Sequence, residues 1–185
     1  MTCLDQPPTP SLARTTASDP RLLSKPELPP SFPIIWRDSL IYEHARVGRV
    51  FNHRRPSRYP LAVVEATTEG HIVEAVRLAN QLSCRVSVRS GGHSWAAWSV
   101  RDDAILIDLG KFFHFHLDGE TGVLEASPSM TGRMVNRLLE PHGRMFPGGH
   151  CPDVALGGFL LQGGMGWNCR VGIHDICNTQ RRDSN

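Results

Sequence analysis

The sequence contains no run of 18 consecutive apolar residues and no CxxC pair, and its basic residues gather into no stripe. Without such a run, no helix is expected to cross a membrane. The N-terminus also lacks the charged-then-apolar layout of a secretory signal, so the chain reads as soluble and, by default, cytoplasmic. Its five cysteines, Cys3, Cys84, Cys151, Cys169 and Cys177, are odd in number and unevenly spaced. That spacing predicts no disulfide framework and a reducing compartment. Lysine and arginine total 20 against 18 aspartates and glutamates, a formal net charge of +2. Scattered as they are, the basic residues offer no electrostatic footprint for nucleic acid. Two phosphate-binding signatures are also missing. The nearest fit to GxGxxG, from Gly164 to Cys169, fails at its last position, and no GK[ST] marks a P-loop. No metal is expected either: His114 and His116 share one side of a strand, but no third ligand stands at a usable spacing.

What is present is enough for a core, since 40% of the 185 residues are apolar. Residues 1–33 form a proline-rich polar segment, expected to be a disordered leader, and residues 34–55 lead into the domain. LAVVEAT, residues 61–67, is a short, bounded, β-branched run and reads as a buried strand. Thr68 then caps a helix over EGHIVEAVRLANQL, with Ile72, Val76, Ala79 and Leu82 on one face and Val73 and Ala75 beside it. CRVSVRS follows as a second strand. Strand, helix and strand at this spacing predict a βαβ unit with parallel strands and a right-handed crossover. Downstream, DDAILIDL, KFFHFHL and GVLEASP read as further strands around a turn at Asp118 and Gly119. MTGRMVNRLLEPHG reads as a helix with Met130, Met134 and Leu138 on one face, stopped by Pro141. The fold class is α+β: a βαβ unit followed by the start of a mostly antiparallel sheet.

The candidate site begins where the second strand ends, in VSVRSGGHSWAAWS, residues 86–99. Ligands of α/β sheets lie outside the carboxyl ends of the strands. Gly91 and Gly92 allow close backbone approach and can turn N–H groups inward as an anion nest suited to a pyrophosphate. A second glycine-rich stretch follows much later, FPGGHCPDVALGGFLLQGGMGWNCR. Taken singly, His93 also reads as an ordinary hydrogen-bonded surface residue, Cys151 as a small buried hydrophobe and the glycines as turn residues.

Together the two stretches resemble the flavin-linked oxidases with the vanillyl-alcohol-oxidase (PCMH) type of FAD-binding domain, particularly the berberine-bridge-enzyme-like branch. The resemblance runs from about Pro56 to Arg170. It implies that Arg89, Ser90, Gly91, Gly92, His93 and Ser94 hold the FAD pyrophosphate, with His93 bonded to the 8α-methyl carbon of the isoalloxazine. For the second stretch it implies that Gly149, Cys151, Pro152, Val154, Gly157, Gly158, Gly163, Gly164 and Gly166 contact the cofactor, with Cys151 bonded to carbon 6. Ala155 departs from a glycine common in the branch, and Gln162 interrupts the glycine run. Residues 171–185 diverge altogether. The expectation is therefore a partial FAD-binding domain over residues 56–170, a divergent tail, and no substrate domain or catalytic residue. The implied activity is an FAD-dependent oxidase taking a hydride from a carbon bearing oxygen or nitrogen in a small-molecule substrate, with dioxygen as acceptor. A dehydrogenase using another acceptor, or a non-catalytic FAD-binding fragment, are the alternatives.

Overall fold

A computed structural model describes residues 31–167. The expected divergent tail and nearly all of the expected leader lie outside the described residues. The last three leader residues belong to the fold: Phe32 is buried in the core, and the Pro33 carbonyl accepts from the Glu65 N–H at 3.0 Å.

The chain enters through β1 (Ile34–Trp36) and α1 (Tyr42–Val47) and then reaches β2 (Ala62–Glu65). Ala62, Val63 and Val64 are wholly buried, as a continuous β-branched run requires of a strand covered on both sides. Thr68 caps α2 (Glu69–Gln81) as expected, its hydroxyl oxygen accepting from the His71 N–H at 3.3 Å. The helix turns a slightly different face inward from the one its spacing suggests. Ala75, Leu78 and Ala79 are buried, whereas Val73 and Val76 lie exposed. Two alanines let the helix approach the sheet closely, and the β-branched valines fall outside that contact.

After α2 the chain forms β3 (Arg85–Arg89), completing the βαβ unit, and then β4 (Ala104–Asp108). β4 enters the same sheet, parallel to both neighbours, between β2 and β3, with Leu106 opposite Val63 on one side and Ser87 on the other. The strand order is β1-β2-β4-β3, with β1 antiparallel. DDAILIDL therefore joins the strands before it rather than those after it. The reason is its uninterrupted apolar run, since every β4 residue is buried, which suits only the interior of a covered parallel sheet. α1 covers one face through Tyr42 and Ala45 against Val63 and Leu106. α2 covers the other through Ala75, Leu78 and Ala79 against Val64, Ile105 and Ile107.

A smaller layer follows. β5 (Phe115–Leu117) and β6 (Leu124–Ala126) pair antiparallel. Their turn is organised by Asp118, whose Oδ1 accepts from the N–H groups of Glu120 and Thr121 at 2.8 and 3.1 Å. A side-chain bond with Thr121, and then those backbone bonds, hold its carboxyl below the usual range. α3 (Gly132–Leu139) packs on this hairpin through Val135 and Leu139, with Met130 just before it and Leu156 of α4 (Leu156–Gln162). Met134 and Leu138, expected on the inner face, are exposed, because the cap at Thr131 sets the helix so that Val135 and Leu139 point inward. Pro141 lies in the 3-10 turn that ends α3. Among the described residues no helix is long and apolar enough to cross a membrane.

β3 and β4 end on a pair of register partners, Arg89 and Asp108, both almost fully buried. Arg89 Nε and Nη2 donate to Asp108 Oδ2 at 3.0 and 2.6 Å. Nη1 and Nη2 reach back to the carbonyls of Arg46 and Ala45 at the end of α1, at 2.6 and 2.5 Å. Asp108 Oδ1 accepts from Arg49 and from the Gly110 N–H. Removing one member leaves a buried charge uncompensated, at a cost of about 3–5 kcal/mol. Asp108→Ala is therefore expected to lower unfolding free energy by about that amount in urea titration. Breaking the exposed Arg77–Glu74 pair of α2 should cost no more than about 0.5 kcal/mol.

Candidate functional site

The loop leaving β3 is shaped from behind by the residues that follow α1. Arg49 Nη2 donates to the Ser90 carbonyl at 2.7 Å, and the Phe51 N–H donates to the Gly92 carbonyl at 3.2 Å. Gly92 has φ +75, and a Cβ there would overlap the Arg49 carbonyl oxygen, so no other residue fits. The N–H groups of Gly91, Gly92, His93 and Ser94 donate to no acceptor among the described residues. A run of free donors around a positive-φ glycine is an anion nest. The His93 ring stacks on Phe51, centroids 3.9 Å apart and planes 11° apart, and Trp95 meets Phe51 edge-on at 5.5 Å.

The second stretch is laced to the strip running from Pro128 into α3. Thr131 and Ala155 form an isolated antiparallel bridge. The N–H groups of Gly132 and Arg133 donate to the carbonyls of Val154 and Pro152 at 3.1 and 2.8 Å, and those of Leu156 and Gly157 to Met130 and Pro128 at 2.8 Å. This lacing sets the stretch against the first loop. A Cβ on Gly91 would come within 2.5 Å of the Ala155 Cβ, and one on Gly157 within 3.1 Å of the Ser90 Cβ. The outcome is that Cys151 Sγ lies 3.5 Å from His93 Nε2, across 58 residues of sequence. Both side chains are reachable from solvent. Beside them Arg133 forms a two-pronged ion pair with Asp153, at 2.8 and 3.1 Å. The guanidinium holds the Asp153 carboxyl below its ordinary value, and the carboxylate raises Arg133 in return.

Not every residue proposed from the sequence lines this junction. Arg89 is a correction: its side chain is 1% exposed and bonded to Asp108, Ala45 and Arg46, so it supports the loop and presents nothing to a ligand. Gly164 and Gly149 pack on the ring of Phe159, and a Cβ on Gly166 would strike the Gly148 carbonyl. Those three glycines let the chain fold over itself, with the His150 N–H bonded to the Met165 carbonyl at 3.1 Å. Gly158 and Gly163 instead face open space. Val154 closes a turn onto the Cys151 carbonyl at 3.3 Å, and the Pro152 carbonyl takes the Arg133 N–H. Ser94 Oγ accepts from the Trp98 N–H at 3.2 Å. Sequence reasoning missed Arg49, Phe51, Arg133 and Asp153. A cleft of about 590 Å³ lies along α3 between Arg133 and Arg144 and includes none of residues 90–94. Among the described residues no group of three or more His, Cys, Asp or Glu side chains could hold a metal ion.

Residues 60–179 match the family model of an FAD-binding domain. The chain belongs to the FAD-binding-domain family. Its relatives are FAD-linked oxidoreductases: it is 51% identical over 146 residues to penO of Penicillium crustosum, covering 79% of this chain and 32% of that protein. It is 33% identical over 121 residues to the xylooligosaccharide oxidase of Thermothelomyces thermophilus, covering 64% of this chain and 24% of that one. This FAD-binding-domain chain thus spans about a third of the first relative's length. Its fold is similar to Physcomitrella patens BBE-like 1, with TM-score 0.68 and 26% identity over 76% of this chain and 30% of that one. The 6-hydroxy-D-nicotine oxidase of Arthrobacter nicotinovorans shares the fold at TM-score 0.67 and 21% identity, again over 76% of this chain and 30% of that one. The PCMH-type, berberine-bridge-like architecture expected from the sequence is therefore the observed one. In this FAD-binding domain the glycines are separable by substitution. Gly158→Ala, in a helix with open space above it, should raise stability by about 0.5–1 kcal/mol. Gly92→Ala should lower the melting temperature of the same chain, as thermal unfolding would show.

Proposed function

We propose that the chain binds FAD across the loop of residues 90–94 and the stretch of residues 149–158, with His93 bonded to the 8α carbon and Cys151 to carbon 6. The observation that carries this reading is the 3.5 Å approach of His93 Nε2 to Cys151 Sγ, two nucleophiles on separate loops. The residues present fit the group: free N–H donors surround Gly92, open space lies over Gly158 and Gly163, and both nucleophiles are accessible.

Bound flavin supplies hydride acceptance, here from a substrate carbon bearing oxygen or nitrogen, with dioxygen as the final acceptor. The chain's own residues do the holding. The N–H groups of residues 91–94 neutralise a pyrophosphate, Phe51 fixes the plane of the His93 imidazole, and the Arg133–Asp153 pair fixes the loop that carries Cys151. No described residue is assigned as the base that removes a substrate proton. The oxidase names of relatives such as the xylooligosaccharide oxidase support a small-molecule substrate.

The test is co-expression or incubation with FAD, acid precipitation, and peptide mass spectrometry. The wild-type chain should keep its yellow colour through precipitation, His93→Ala and Cys151→Ala should each retain a bound fraction, and the double variant should release its FAD. The FAD mass on neither the His93 nor the Cys151 peptide of a yellow protein would overturn the covalent assignment. Peroxide formation above a free-FAD control separates oxidase from retention alone.

A further inference from the structure

His93 and Cys151 do not meet in isolation. Arg133 fixes both residues that follow Cys151, its backbone N–H donating to the Pro152 carbonyl and its guanidinium to the Asp153 carboxylate. The charges of this cluster alternate in a useful order. The Arg133–Asp153 ion pair ties the loop just after Cys151, whose Sγ lies 3.5 Å from His93 Nε2. An anion near an imidazole stabilises the imidazolium, and a cation near a thiol stabilises the thiolate. The imidazole also stacks on the uncharged ring of Phe51. His150, the neighbour of Cys151 in the chain, has its ring against Trp167, edge-on at 4.5 Å.

We infer that Arg133 and Asp153 are positioning residues that make Cys151 and His93 a proton-sharing pair, in which the thiol proton passes to Nε2 as the sulfur bonds to an electrophilic carbon. The purpose of such a pair rests on the proposed flavin attachment, but its existence is a property of the flavin-free chain. It makes the two links unequal. The sulfur depends on the imidazole as its base, whereas the imidazole needs nothing from the sulfur. His93→Ala should therefore slow bond formation at Cys151, while Cys151→Ala leaves bonding at His93 unaffected.

Iodoacetamide reads the pair without flavin: a C–S bond forms, the C–I bond breaks, iodide leaves with the bonding electrons, and the thiol proton rests on His93 until water takes it. The full chain, produced without FAD, is alkylated across pH 5 to 10, with the rate at each cysteine peptide followed by mass spectrometry. Cys84, whose thiol burial pushes up, serves as the folding reference in the same tube. His93→Gln is expected to slow Cys151 about tenfold near neutral pH and to move the midpoint of its pH profile upward. Arg133→Gln and Asp153→Asn should move that midpoint in the same direction by less, and Arg133→Lys should restore it, with Cys84 unchanged throughout. An unaltered Cys151 profile in His93→Gln overturns the inference. So does equal slowing by Arg133→Gln and Arg133→Lys at a fixed midpoint, which marks a purely structural tie. Loss of FAD retention by the wild-type chain would instead count against the flavin reading and leave the thiol result standing.

Discussion

The buried charge pair of Arg89 and Asp108 governs where everything else can go. It closes β3 against β4 at the end of the sheet from which the site loop departs, and through Ala45 and Arg46 it pins α1 to the same point. Burial pulls the Arg89 guanidinium down from its usual range, and Asp108 opposes that pull most strongly. Neither charge is tolerable there without the other. Because Arg49 shares Asp108 and also holds the Ser90 carbonyl, one carboxylate fixes both the start of the loop and the segment that buttresses it. The unusual backbone at Gly92 and the stacked imidazole of His93 follow from that clamp.

Much of this was legible in the sequence where a residue's local chemistry decides the outcome. Thr68 had to cap α2, the run from Ala62 had to be buried, and the turn at Asp118 had to close a hairpin. The two candidate stretches were recognisable because glycines cluster around His93 in one and around Cys151 in the other. Illegible were the features set by long-range packing. Nothing local says that residues 104–108 slip between two earlier strands, or that Arg89 turns inward while its neighbours Ser90 and Gly91 face the second stretch. Phe51 lies in a segment without periodicity, and Arg133 and Asp153 look like ordinary surface charges until α3 brings them together. Helix faces were read to within about one residue's rotation, since Val76 and Met134 lie just beyond the contact that Ala75 and Val135 make.

The glycines divide into two kinds that the sequence alone does not distinguish. Gly91, Gly92, Gly157, Gly164 and Gly166 are required by the chain itself, because each would otherwise collide with a neighbouring part of the protein. Gly158 meets no neighbouring atom, and Gly163 faces open space but is held to glycine by its backbone, at φ +76. Ala155 shows the same logic from the other side: its methyl fills the space that Gly91 leaves, so a departure from the family's usual glycine is absorbed by a packing contact.

The placement of β4 between β2 and β3 also sets an order of assembly. The strands that flank α2 share no hydrogen bonds with each other, since β4, made after both, lies between them, and β2 has only β1 on its other side. The βαβ segment emerging during synthesis is therefore a helix with two unsatisfied edges, and its closing contact is non-local. Arg89 stays without its counter-charge until Asp108 has been added. The wedge of residues 104–108 thus commits sheet, charge pair and site loop in a single step, and a ribosome pausing just before it would hold a chain with the facing edges of β2 and β3 open to the wrong partner.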